Sequence, residues 1–195
     1  MKTTLIRAAF VGILALGATT AHAAEKAAAA KDDVSLKLTK GTMQAGGTVA
    51  FVIDFNAANG FSRALYSLNI APEFGYFVID NLELGARFQF VPTFGDTPFQ
   101  GVLALDFGAK YHFKIAPRFA MYAGLLIGPG IEWVDGQGST GRFDVELPVG
   151  VLFALNQHVA LDLGFRFNLI QNFSPSSTRI SIPIGYLGVQ SYFEL

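Results

Sequence analysis

Few residues in this chain could do chemistry, and their spacing narrows what that chemistry could be. Cysteine is absent, which closes off thiolate catalysis, Cys-based zinc sites and a disulfide framework. The three histidines are His22, His112 and His158, with no partners at the short spacings that gather on a metal, and a catalytic zinc needs three protein ligands. Neither a metal site nor a cofactor is expected. A Ser-His-carboxylate arrangement would draw on Ser67, Ser181 or Ser191 with His112. None of these serines has a histidine near it in sequence, and a small filler residue is the plainer expectation for each. No catalytic residue is assigned, and the chain is not expected to be an enzyme. What recurs instead is charge set singly into apolar stretches: Asp54, Glu73, Glu83, Arg87, Asp106, Lys110, Glu132, Glu146, Asp162 and Arg166.

These charges follow a period of two, which strands produce and helices do not. From Pro72 to Gly85, Phe74, Tyr76 and Val78 stand on even positions before a turn at Ile79-Asp80-Asn81. Leu82, Leu84, Ala86, Phe88 and Phe90 continue on even positions after it, with Glu73, Glu83, Arg87 and Gln89 on the opposite face. Between Gln100 and Phe113, Leu103, Leu105, Phe107, Ala109, Tyr111 and Phe113 alternate with Ala104, Asp106, Gly108, Lys110 and His112. The same reading gives further strands over 42–55, 64–78, 82–91, 119–133, 143–155, 159–169 and 179–195, eight in all. Pro129 argues against regular pairing within the fifth, and a parity change near Gly185-Tyr186 predicts a bulge in the last. Tight turns are predicted at 79–81, 116–118 and 156–158. Longer loops of about eight or nine residues are predicted to include Asn59-Gly60, Pro92–Pro98, Asp135–Arg142 and Gln171–Ser177, an alternation of lengths typical of membrane barrels.

Alternation alone does not say which face is inside. An eight-stranded barrel has room only to be filled by side chains, and the apolar face is too bulky to fit. The other face, mainly Gly, Ala and Ser with single charges, suits a narrow lumen. Arg87, Lys110 and Arg166 should then be enclosed by acids from neighbouring strands, because an unpaired buried charge is costly. A cation-conducting path along the acids is the competing reading. Aromatic residues near both strand ends, such as Tyr76, Tyr111 and Phe113 at one and Phe90, Trp133 and Phe167 at the other, predict two interfacial girdles.

Composition agrees. Charged residues make up 15% of the chain, where an average globular domain has about 25%, and Phe alone contributes 19 residues. Residues 1–23 carry Lys2 and Arg7, an apolar run from Ala8 to Ala18, and the small-x-small ending Ala21-His22-Ala23. This is the pattern of a signal peptide cleaved after Ala23, too short to be a spanning helix. Removing its two cations from the 14 basic residues leaves 12 against 15 acidic ones, a net charge of −3 that points away from nucleic acid. Residues 24–40 read as a mobile N-terminal leader and 41–195 as the barrel domain.

Pro72 with Gly75-Tyr76-Phe77-Val78, Asp80-Asn81-Leu82-Glu83-Leu84-Gly85, and Gly41-Thr42 with Gly46-Gly47 resemble the small eight-stranded outer-membrane β-barrel domains of the OmpA-like and OmpX-like kind, over about Gly41 to Leu195. Such barrels usually finish in an aromatic residue, and here Leu195 is last. The resemblance implies an all-β, eight-stranded antiparallel up-and-down transmembrane barrel in the cell outer membrane, with both termini in the periplasm. It implies outer-membrane lipid and the barrel assembly machinery as partners and a monomeric state. A structural, non-catalytic role is expected. The alternatives are a narrow channel for small solutes or ions, a surface-binding or adhesion barrel, and a lipid-modifying enzyme.

Overall fold

A chain whose alternate side chains meet different surroundings is held extended, and the alternating segments are strands throughout. The computed structural model describes residues 35–55, 64–95, 98–173, 176–181 and 185–194, without the side chains of 52–55, 64–65 and 176–177. The signal peptide, its cleavage after Ala23 and the leader up to residue 34 lie outside the described residues, as does the side chain of Asp54. The strands are β1 (Thr42–Phe55), β2 (Ala64–Ile79), β3 (Leu82–Gly95), β4 (Gln100–Ala116), β5 (Phe119–Val134), β6 (Gly138–Ala154), β7 (Val159–Phe173), β8 (Ser176–Ser181) and β9 (Tyr186–Glu194). Each of β1 to β7 pairs antiparallel with the next, and β9 pairs with β1, which closes the ring. Both β8 and β9 pair with β7, so they are two lengths of one strand in an eight-membered, up-and-down barrel.

The break between β8 and β9 is the bulge foreseen from the parity change. Gly164 pairs with Tyr186 and Asn168 with Ser181, a step of four residues along β7 against five along the last strand. Gly185 takes φ +77°, a conformation that costs glycine little. Across the bulge the faces exchange: Ile180 is exposed on the outside, whereas Tyr186, Gln190 and Tyr192 point inward and are buried.

Ser35 and Glu194, the first and last described residues, and the connections 80–81, 117–118 and 155–158 lie at one end, called here the terminal end. Asn81 (φ 66°) completes the first of these turns in the left-handed region that Asn tolerates. At the distal end the strands run farther than their composition suggests. β3 passes through Pro92 to Gly95, β6 begins at Gly138, and β7 continues to Phe173. The connections 96–99, 135–137 and 174–175 are therefore as short as those of the terminal end, and the expected contrast in loop length is absent there. The Gly, Ser, Thr and Asn residues that read as loop also make lumen wall, so composition does not separate the two at a strand end. Residues 56–63 fall outside the described residues.

Among the described residues four prolines sit within strands, and each is accommodated in the same way. In an antiparallel sheet the N–H and C=O of one residue face the same neighbour, so a missing N–H disturbs only one of its two ladders. Pro129 pairs in register with Phe143 of β6, while the ladder to β4 lapses between Ala104↔Gly130 and Phe107↔Ile127. Pro148 keeps Arg166 of β7 and interrupts the ladder to β5, and Pro72 and Pro92 together interrupt the β2–β3 ladder.

The stretch Ser35–Lys40, expected to belong to a mobile leader, is fastened into the terminal mouth. Leu36 and Leu38 point inward into a cluster with Phe77, Leu152 and Tyr192, and Leu38 is only 1% exposed. The Leu38 carbonyl accepts from Asn81 N at 2.8 Å, the Gln157 carbonyl from Lys37 N at 3.4 Å, and Asp80 Oδ1 from Lys40 N at 2.8 Å. One short strap thus joins two separate turns and covers the mouth between them. Its apolar residues, two apart in a polar context, carry the strand period one step beyond β1.

Outside, the barrel is apolar. Phe74 and Phe165 are each 61% exposed, and Leu84, Phe107, Leu125 and Leu163 are exposed beside them. Inside, Arg87 is 1% exposed. Trp133 lies against Gly101 on the outside, where a Cβ would collide with its ring.

Candidate functional site

The lumen is positioned by parity: odd residues of β2 and β3 and even residues of β1, β4, β5, β6, β7 and β9 point inward. A narrow ring cannot hold a long side chain opposite another, and the wall solves this by register. Lys110 stands opposite Gly124, Tyr122 opposite Gly150, Tyr186 opposite Gly164 and Gln190 opposite Gly46. At all four glycines a Cβ would run into the facing side chain. Each glycine supplies the volume into which its partner lies.

The charges fall into three groups, and Glu73 joins the first two. Nearest the terminal end, His112 Nε2 is 2.9 Å from Glu83 Oε2, while Lys110 Nζ donates to Glu73 Oε2 at 2.8 Å and lies 3.2 Å from Glu83 Oε1. In the middle, Arg87 makes a two-pronged pair with Glu146 (Nη2 to Oε2 2.7 Å) and donates to Asp106 Oδ2 at 2.8 Å. Arg166 donates to Thr48 Oγ1, lies 3.5 Å from Glu146 and 3.7 Å from Glu73, and sits over the Tyr186 ring at 4.3 Å. Beside it Asp162 accepts from Tyr122 at 2.8 Å and Gln190 at 2.9 Å, and Gln44 bonds to Gln190. Toward the distal end, Arg142 pairs with Asp144 through Nε (2.7 Å) and Nη2 (2.6 Å), and Glu132 lies 3.8 Å from Arg142 and 3.5 Å from Arg179. Glu73, Glu83, Arg87, Asp106, Lys110, Glu146, Asp162 and Arg166 are all buried together, and Glu132 is half-buried at the edge.

Arg142 and Asp144 are lumenal charges that escaped the sequence reading, which placed Arg142 in a loop. Both share the even parity of Glu146: Asp144 already lay within the predicted strand, and extending its alternation back from Phe143 would have found Arg142. Gln44 and Gln190, buried and bonded to one another and to Asp162, were missed because uncharged polar residues also suit an exposed face, whereas Gln89, read on the charged face, donates to Asp106.

Among the described residues Ser67, Ser181 and Ser191 do not come together with His112 and a carboxylate. Ser67 is hydrogen-bonded to Thr93 at 2.8 Å, ten residues up β3 from Glu83, a separation of about 30 Å from the His112–Glu83 pair at strand rise. Ser181 lies in the distal half opposite Asn168, and Ser191 takes the outward parity of β9. His112 is enclosed by Glu83 and the rings of Phe77 (5.2 Å) and Tyr122 (5.5 Å). His158 in its turn lies 3.0 Å from the Tyr192 carbonyl through Nδ1. Among the described residues no three metal-ligating side chains gather. Two interstices lie between the charges; the first has no room for a water molecule and the second barely admits one.

The fold has known counterparts. Neisserial surface protein A superposes with a TM-score of 0.58 at 16% identity, over 80% of this chain and 98% of that one. The fold is that of a small outer-membrane β-barrel. The N-terminal barrel domain of Pseudomonas aeruginosa OprF (TM-score 0.48, 16% identity, 79% of this chain and 98% of that one) and OprG from the same organism (0.49, 14%, 84% and 100%) are also similar. No family model matches the sequence, and no curated protein is similar to it.

Proposed function

We propose that this chain is an integral outer-membrane barrel whose role is structural and non-catalytic, with a shut lumen. The observation that carries the reading is the inversion of polarity: a continuous apolar exterior around a lumen filled by interlocked ion pairs. A soluble barrel has those faces exchanged, and in lipid a closed ring satisfies every backbone group that water would otherwise serve. The signal-like N-terminus supports export with cleavage after Ala23, and the terminal end is assigned to the periplasm. Insertion by the barrel assembly machinery, outer-membrane lipid as the surrounding partner and a monomeric state belong to the same reading. A packed lumen favours neither conduction nor catalysis, and the short described distal connection at 135–137 offers little surface for adhesion.

The test is cell fractionation with gel migration before and after boiling. The expected result is recovery in the outer-membrane fraction as a compact species that migrates differently once boiled. Recovery as a soluble periplasmic protein would overturn the proposal.

A further inference from the structure

Exposed charge at the terminal end is unbalanced. Two described acids, Asp80, whose Oδ1 accepts the Lys40 backbone N–H at 2.8 Å, and Glu194, which accepts from Lys37 Nζ at 3.2 Å, stand against four cations, Lys37, Lys40, Lys114 and Arg118. Lys40, Lys114 and Arg118 are exposed, and no carboxylate of the described residues lies within ion-pair distance of their side chains. They follow one another along the rim. Lys40 is tied through Asp80 to the β2–β3 turn, whose Asn81 carbonyl accepts from His112 N at 2.8 Å, and Lys114 is two residues farther along β4. Arg118 then closes the β4–β5 turn, just beyond the pairs Lys114↔Ala120 and Ala116↔Phe119. On the outer surface of the same end are two aromatic pairs, Tyr111 with Phe113 at 4.8 Å and Phe119 with Phe153 at 5.1 Å. The distal end differs. Arg142 and Arg179 are engaged by Asp144 and Glu132, and Asp135 adds an exposed acid, so no described cation there is free.

We propose that the arc of Lys40, Lys114 and Arg118 is a binding surface for anionic phospholipid headgroups in the leaflet at the terminal end; this rests on the membrane reading above. The chemistry is charge complementarity at an interface. Arg118 presents a fork that matches two phosphate oxygens, and the lysines add point charges without fixed geometry. The aromatic pairs mark the depth at which headgroups meet acyl chains. A zwitterionic headgroup brings an ammonium that the arc repels, whereas an anionic one does not. Each basic group at such a surface is worth about a fivefold preference.

The experiment inserts the mature chain into phosphatidylcholine vesicles containing trace spin-labelled phosphatidylglycerol or spin-labelled phosphatidylcholine and measures the immobilised fraction of each label. Phosphatidylglycerol should be favoured about fivefold or more at low salt, with the preference falling toward unity at high salt and in the K40Q/K114Q/R118Q variant. Equal association of the two labels with the unaltered chain would overturn the proposal, as would undiminished selectivity in the variant. Should the variant fail to fold, the salt titration of the unaltered chain decides alone, and selectivity that survives high salt counts against the arc. A chain that inserts into no vesicle would instead overturn the membrane reading on which the arc depends.

Discussion

The middle of the lumen and its terminal mouth are both shut, by opposite physics. In the middle, Arg87 is enclosed by Glu146, Asp106 and Glu73, and Arg166 and Lys110 tie the same acids to neighbouring strands. At the mouth, Leu36 and Leu38 close over Phe77, Leu152 and Tyr192 with no charge among them. The charged layer depends on geometry: each ion is tolerable only while its partners stay in place, because desolvation is repaid by hydrogen-bonded pairing. The apolar layer depends on volume, which is more forgiving of small shifts. The difference teaches that the ring is fixed in register by its middle and merely covered at its end.

That contrast can be broken from either side. The largest effect is expected for Arg87→Met, which leaves Glu146, Asp106 and Glu73 buried with one cation fewer; unfolding in urea from detergent micelles should show a loss of about 3–5 kcal/mol. Adding Glu146→Leu should recover part of it, and a double variant that loses the sum of both single losses would contradict a pairing role. Leu38→Ala removes a fully buried side chain from the strap and should cost about 2–5 kcal/mol, with protease cleavage near the N-terminus appearing before the barrel unfolds. Cleavage no faster than in the unaltered chain would mean the strap is not held by its leucines. Phe107→Arg places a charge on the apolar exterior, where about 2–4 kcal/mol is expected near the bilayer midplane and almost none if that face meets water. Lys37→Gln breaks the exposed pair with Glu194 and should change stability by less than about 1 kcal/mol. A larger loss would show that the strap is held by charge and not by its leucines.

Much of this was legible in the residues. The alternation through Glu83, Arg87, Asp106 and Lys110 places charge on one face and Leu or Phe on the other, and the volume argument then turns the charged face inward. Even the irregularity at Gly185 follows from a parity change. What alternation cannot supply is which strand faces which across the ring. The Arg87–Glu146 pair spans 59 residues and the Arg166–Thr48 bond 118, and both depend on how the sheet closes. The glycines opposite Lys110, Tyr122 and Tyr186 were visible as small wall residues, but their assignment to particular partners needs the register. Arg142 was lost to a glycine-rich stretch that resembles a loop, and Leu36 and Leu38 to a leader whose charges mask two inward-facing leucines.

The central claim is that ion pairing keeps the lumen shut, and conductance across a planar bilayer tests it most directly. The unaltered chain, inserted and shown to be folded by its heat-dependent migration, should give no discrete current steps at any applied voltage that the membrane survives. Stable cation-selective steps that disappear on Asp106→Asn would contradict it, because they would mean the acids line a water path instead of holding Arg87 and its neighbours in place.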